Sequence, residues 1–168
     1  MANPAIENLG PNAISDIDQL KSHPALAKLM GWKADAVESA KFDRNELSIY
    51  VKREFIREAC ALLKADFNFF CDVTCVDWFP TEPRFHISYH LLSHKLKERV
   101  RLKVRLDGDN AAVESITSVW PGANYFEREV FDLFGVRFLS HPDMRRLMMP
   151  QDWEGHPLRK DYPVEGYR

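Results

Sequence analysis

Cysteine is scarce in this 168-residue chain. Cys60, Cys71 and Cys75 are its three thiols, an odd set that fits a reducing compartment better than a secreted disulfide framework. Glycine is scarce as well: the seven glycines are isolated, neither GxGxxG nor GxxxxGK[ST] occurs, and those Gly-rich routes to phosphate binding are excluded. Ser93, Ser115, Ser118 and Ser140 sit in no GxSxG elbow, which leaves a serine-hydrolase reading without support. No stretch approaches the ~18 apolar residues of a membrane span, and Met1 to Gly10 lacks the apolar run of a signal peptide. The expectation is a chain with neither. Charge of one sign is also missing. Lys and Arg number 23 against 25 Asp and Glu, giving a net charge of -2, without the basic excess that a dedicated nucleic-acid binder needs to displace counterions.

What is present describes an ordinary folded protein, with 45% hydrophobic, 29% charged and 12% aromatic residues. At roughly 100–200 residues per domain the length allows one domain plus tails. Three segments are expected: an N-terminal arm over 1–36 with a short helix, a domain over 37–139, and an extended C-terminal tail over 140–168. In the arm, Pro4, Gly10 and Pro11 mark residues 1 to about 21 as mobile, and the helix starts at Pro24 and stops at Gly31. Val37 to Phe42 and Leu47 to Val51 read as strands joined by the turn Asp43-Arg44-Asn45.

Arg53 to Asp66 repeats apolar residues at helical spacing, with Phe55, Ala59, Leu62 and Ile56, Cys60, Leu63 on one side. Phe67 to Phe79 is aromatic and β-branched, and Arg84 to Leu92 alternates with period two. The clearest strand is Glu98 to Leu106, where Val100, Leu102, Val104 and Leu106 alternate with Arg99, Arg101, Lys103 and Arg105. Asp107-Gly108 predicts a hairpin returning as a strand around Ala112 to Val119. A helix follows from Trp120-Pro121 to Gly135, in which Arg128 can pair with Asp132 one turn on. The expected fold class is therefore α+β, with a mixed, largely antiparallel sheet packed against helices. The tail holds Pro142, Pro150, Pro157 and Pro163 with no periodicity, and Leu147, Met148, Met149, Trp153, Tyr162 and Tyr167 are too apolar to be freely solvated.

Several constellations bear on chemistry. Cys71 and Cys75, four apart on a strand, stand about 13 Å from each other, too far for one metal or compact cluster. The same spacing separates neighbours among His86, His90 and His94, which read as solvated-face histidines. The ribbon Arg99, Arg101, Lys103, Arg105 reads as a solvated sheet face with cross-strand acid pairs. Glu127, Arg128, Glu129 and Asp132 share one helix, and either a fixed ion-pair cluster or a general acid/base pair is open, the cluster being favoured by local charge compensation. The same carboxylates can receive Arg145 or Arg146 if the tail folds back.

At this block the sequence resembles the 30 kDa subunit family of respiratory complex I, called the C subunit in bacterial proton-translocating NADH:quinone oxidoreductase. Glu127, Arg128, Glu129, Asp132, Leu133, Phe134, His141, Arg145, Leu147 and Met148 fill the family pattern without a gap. Val76-Asp77-Trp78, the stretch Phe85 to Ser93, Arg99 to Val104, and Trp153 through Pro163 are similar to the family's strands and tail. The likeness runs from about residue 37 to the end.

The resemblance implies a structural and assembly role in the hydrophilic arm, docked on the 49 kDa-type D subunit near subunits B and I. It implies no catalytic, cofactor or metal residues in this chain, with FMN and iron–sulfur clusters held by partner subunits, and a peripheral position on the cytoplasmic side of the bacterial inner membrane. Arg145, Arg146, Arg159 and Lys160 are the expected docking cations, because guanidinium groups suit bidentate contacts at an interface. The tail is expected to order against a neighbour. Two rivals stand beside this reading. One is an equivalent scaffold in a related membrane-bound hydrogenase or other-donor dehydrogenase. The other is a stand-alone metal-dependent enzyme using His86, His90 or His141 with Glu129 and Asp132.

Overall fold

The computed structural model describes residues 13–166. Residues 1–12, which hold Pro4, Gly10 and Pro11 of the predicted mobile arm, and Tyr167 lie outside the described residues. Two short helices lead in, α1 (Ile17–Leu20) and α2 (Pro24–Lys33). Proline at the first position of α2 gives up an N–H that has no partner there anyway. Gly31 does not stop α2, contrary to expectation. A helical glycine costs about 1 kcal/mol, and the buried Leu26 and Leu29 hold the helix past it. Ile14 pairs through its backbone with Phe42, and Leu20, Leu26 and Leu29 join the core.

β1 (Val37–Asp43) and β2 (Glu46–Val51) form the expected hairpin. Arg44 and Asn45 both take positive φ, 51° and 63°, the twist that a two-residue turn requires. After a 3-10 turn at Arg53–Phe55 comes α3 (Ile56–Leu63), then a meander of β3 (Phe69–Asp77), β4 (Phe85–Ser93) and β5 (Glu98–Leu106). The sheet order is β1-β2-β5-β4-β3, with β2 and β5 parallel and every other pair antiparallel. Alternation puts Leu47, Ile49, Phe85, Ile87, Tyr89, Leu91, Val100, Leu102, Val104 and Leu106 on one face, where the helices, with α4 described below, add Leu20, Leu26, Leu29, Ile56, Cys60, Leu63 and Val130 to a single core.

The opposite face carries Ser48, Tyr50, His86, Ser88, His90 and the arginine ribbon. Two of its four cations find the expected acids across strands, Arg101 lying 3.1 Å from Glu46 and Arg105 3.8 Å from Glu38 and over the Tyr50 ring.

The predicted hairpin after β5 does not form. β5 is a central strand with both edges already taken, by β2 and β4, so a returning strand has nowhere to pair. Gly108–Asn110 is instead a 3-10 turn, and the Gly108 N–H is captured by the Glu82 carboxylate at 3.0 Å. β6 (Ala112–Glu114) pairs in parallel with β7 (Arg137–Leu139) in a separate two-stranded sheet. Between them runs α4 (Ala123–Phe134), closed by Gly135 at φ 75° with its N–H on the Phe131 carbonyl. Beyond β7 the described residues form only turns and irregular backbone.

Candidate functional site, the tail and its clamps

Helix α4 gathers the signature residues, but not as a surface ion-pair cluster. Glu127 and Asp132 are both fully buried, whereas Glu129 faces solvent. Arg128 does not pair with Asp132; it donates to the backbone carbonyls of Arg145 and Arg146 at 3.0 and 3.1 Å. The partner of Asp132 is the tail. One of its oxygens accepts the consecutive N–H groups of Leu147, Met148 and Met149 at 2.9, 2.7 and 2.8 Å. The other accepts Arg146 Nη1 at 2.7 Å. Burial by itself pushes the Asp132 carboxyl up, but the Met149 N–H, the Arg146 guanidinium and the two neighbouring N–H groups outweigh it and hold the group below its ordinary value. Of the two arginines that tail folding could deliver to these carboxylates, Arg146 arrives, while Arg145 stays exposed on Asp143 at 2.6 Å.

The last turn of α4 has carbonyls without partners inside the helix, and the tail supplies donors for them. His156 Nδ1 lies 2.9 Å from the Asp132 carbonyl, the Leu158 N–H donates to Leu133 at 3.0 Å, and Arg159 Nε donates to Phe134 at 2.6 Å. A cation at this end also complements the helix dipole. Gly135 admits the approach: a Cβ there would stand 2.5 Å from both Arg159 Nη2 and His156 Cδ2. Arg146 and Arg159, expected as docking cations, thus have their guanidinium groups bonded inside the chain. Lys160 reaches over the Trp78 ring at 5.8 Å, and its backbone N–H donates to Asp77 at 2.9 Å.

A second clamp goes beyond what the sequence pattern predicts. Arg84 donates from Nε and Nη2 to Asp77 at 2.9 and 2.8 Å, and from Nη1 and Nη2 to Asp161 at 2.9 and 2.6 Å. Its guanidinium also lies 4.9 Å from the ring centres of Phe79 and Phe85. Burial works against ionising Asp77, yet Arg84 and the Lys160 and Phe79 N–H groups keep its carboxyl below the ordinary range. Asp77 and Asp161 both lie in stretches that match the family, but nothing in their spacing pairs them across the chain.

Glu127 serves a different contact. Its carboxylate accepts Ser115 Oγ at 2.6 Å and the Ile116 N–H at 2.8 Å, and His141 Nε2 lies 3.9 Å away. Burial pushes this carboxyl up to about 7 against the pull of those two donors. The environments of Glu127 and Asp132 therefore move their carboxyls in opposite directions, although each is engaged with the chain's own backbone.

The histidines do not converge. His86 and His90 sit on β4 on the sheet face away from α4, where burial followed by Arg105 and Lys103 lowers His86 to about 4. Among the described residues no group of three or more His, Cys, Asp or Glu is placed to hold a metal ion.

With part of its polar groups bonded to the domain, the tail presents apolar side chains outward among exposed polar ones such as Gln151, Asp152 and Glu154. Met148 is 63% and Leu158 52% exposed, with Leu147, Trp153 and Val164 also open; Leu139 and Tyr125 of the domain are exposed as well.

The sequence pattern of the family described as respiratory-chain NADH dehydrogenase, 30 kDa subunit, matches residues 49–168. The chain belongs to this family. It is 44% identical over 149 residues to the NADH-quinone oxidoreductase C subunit of Roseiflexus sp. (strain RS-1), covering 86% of each chain. It is 43% identical over 149 residues to the corresponding C subunit of Geobacter metallireducens, covering 87% of this chain and 92% of that one. Among solved structures, the trypsin-resistant fragment (1-134) of Nqo5 superposes with a TM-score of 0.62 at 29% identity, covering 71% of this chain and 98% of the fragment. A chain of the archaeal membrane-bound sulfane sulfur reductase, a respiratory membrane complex, superposes with a TM-score of 0.70 at 30% identity, covering 83% of this chain and 84% of that one. The 30 kDa family chain is thus a subunit of a multi-subunit, complex I-type assembly, and no helix among its described residues is long and apolar enough to cross a membrane.

Proposed function

We propose that this chain is a non-catalytic docking and assembly subunit in the hydrophilic arm of proton-translocating NADH:quinone oxidoreductase. It sits peripherally on the cytoplasmic side of the inner membrane, against the 49 kDa-type D subunit and near subunits B and I. The supporting observation is the two-sided tail. Asp132, Arg84 and the end of α4 hold its backbone and several of its side chains, while Leu147, Met148, Trp153 and Leu158 face out as the apolar patch we assign to a neighbour. Because the backbone is already fixed, little ordering entropy remains to be lost on association. The patch, rather than Arg146 and Arg159, is the primary contact, with Arg145 and Lys160 at its rim.

The thiols fit this reading. Cys60 and Cys75 are held well above their ordinary values, chiefly by burial and further by Glu127 and Asp77 respectively, which disfavours the thiolate that a cluster would need. The proposal places FMN and iron–sulfur clusters in partner subunits.

Met148→Glu combined with Leu158→Glu tests the proposal. Both residues are exposed, so the isolated variant should keep its far-UV spectrum and melting temperature while co-purification with the other subunits falls at least about tenfold, the loss of roughly 1.4 kcal/mol or more. Undiminished co-purification, or NADH oxidation by the isolated chain, counts against it. The likeness to the sulfane sulfur reductase chain favours one second reading, the same role in a sister complex fed by another donor. The identity of the subunits that co-purify decides between them.

A further inference from the structure

The two outer strands of the main sheet are finished differently. β1 is closed off: Ile14 exchanges both backbone hydrogen bonds with Phe42, at 2.9 and 2.8 Å, and Glu38, Lys41 and Asp43 charge its seven residues. β3, at the other edge, has none of this. Among the described residues nothing pairs with its outer backbone. Of its two acids, Asp77 is consumed by Arg84, so Asp72 is the one charge left along it. Phe69, Thr74 and Val76 are exposed there, and Phe79 just beyond. A register shift between Phe70 and Asp72 bends the strand, so the straight run is Asp72 to Val76. That length is typical of a natural strand.

An uncovered, weakly charged edge is a template for pairing with another backbone, and soluble chains ordinarily blunt such edges with charge, proline or a covering segment. We propose that the Asp72–Val76 edge of β3 receives an extended strand from a neighbouring subunit of the assembly, continuing the five-stranded sheet into a sixth. The occupant is assigned by continuity. Asp77, which ends β3, accepts the Lys160 N–H, so the free edge begins where the tail strap is anchored, and the neighbour proposed to cover the tail would run alongside it. This rests on the docking reading of the tail. Main-chain bonds supply the attachment, while the incoming strand's side chains alternate between the ribbon face and the α4 side.

Amide hydrogen exchange of the intact complex and of the isolated chain tests the proposal, with oxidation of Met148 as an independent report on the tail. In the isolated chain, amides of Asp72–Val76 that point away from β4 should exchange freely. In the complex those alternate amides should slow by about 100-fold or more, matched by alternate protection along an extended segment of one neighbour. Unchanged exchange at Asp72–Val76 with Met148 shielded sinks the strand addition and leaves the docking reading standing. No change at either site sinks both. Slowing without an alternating partner segment rules out pairing, and a concentration-dependent dimer of the isolated chain that slows the same amides assigns the edge to a second copy and overturns the proposal.

Discussion

His141 Nε2 lies 3.9 Å from Glu127 Oε2, and neither side chain is exposed to solvent. The Asp143 N–H donates to His141 Nδ1 at 3.0 Å, so the ring proton resides on Nε2, facing Glu127 and the Asn124 carbonyl 3.3 Å away. Burial lowers the histidine, and the pair is favoured as neutral imidazole beside neutral carboxyl.

Glu127 therefore makes stability depend on pH. Its folded value of about 7 is raised above the unfolded one, so its contribution is complete below the unfolded value and is lost as pH rises through about 7. The loss is on the order of 3 kcal/mol at about 1.4 kcal/mol per unit. Glu127→Gln can keep the Ile116 bond and, by rotating hydroxyls, the Ser115 bond. Urea unfolding at pH 5 and pH 8 should show wild type losing stability relative to the variant at the higher pH; parallel curves would contradict it.

Asp132→Ala strands three backbone N–H groups and takes the counter-ion from a mostly buried Arg146, which keeps only the carbonyls of residues 132, 153 and 155. A cost of about 3 kcal/mol or more is expected, as for breaking a buried charged network from one side. Trypsin should cut after Arg145 and Arg146 far faster than in wild type. Asp132→Asn, which retains an acceptor for the N–H groups, should fall between.

Gly135→Ala acts on the same tail without removing any of its charges. The new Cβ meets Arg159 and His156, and the left-handed backbone adds about 1–2 kcal/mol for a side chain. The melting temperature should drop by several degrees, with faster proteolysis of residues 155–162 than of the sheet.

Arg84→Met leaves Asp77 buried and unpaired, for which about 3–5 kcal/mol is expected. Asp161→Asn should cost less, because Asp161 is 40% exposed and water can replace its partner. Both carboxyls sit below their ordinary values in the fold, so the stability they confer is present above the unfolded value and lost as pH falls through the folded one. Arg84→Met should flatten this acid limb, read as a midpoint in acid titration by near-UV circular dichroism.

Local patterns make much of this fold legible. The alternation in Glu98 to Leu106 marks β5, the Arg44-Asn45 turn marks the hairpin, and Gly135 marks the end of α4, because each depends on neighbours in sequence. The hairpin expected after β5 fails because local turn chemistry at Asp107-Gly108 does not reveal that β5 is central and has no free edge. The clamps are partly legible: Arg146 is a candidate partner for the α4 carboxylates, but Arg84 and Asp161 meet across 77 positions, a distance over which spacing carries no signal. The burial of Glu127 and Asp132 is hidden by their ordinary amphipathic setting on α4.

The pairing of the arginine ribbon with Glu46 and Glu38 has a consequence for assembly kinetics. Two of the four ribbon cations are neutralised at close range, so the funnel that this face offers to acidic chains is weakened rather than built up. Association through the tail should therefore respond to ionic strength mainly through Arg145 and Lys160, and selection among competing subunits should be expressed in how slowly the correct one leaves.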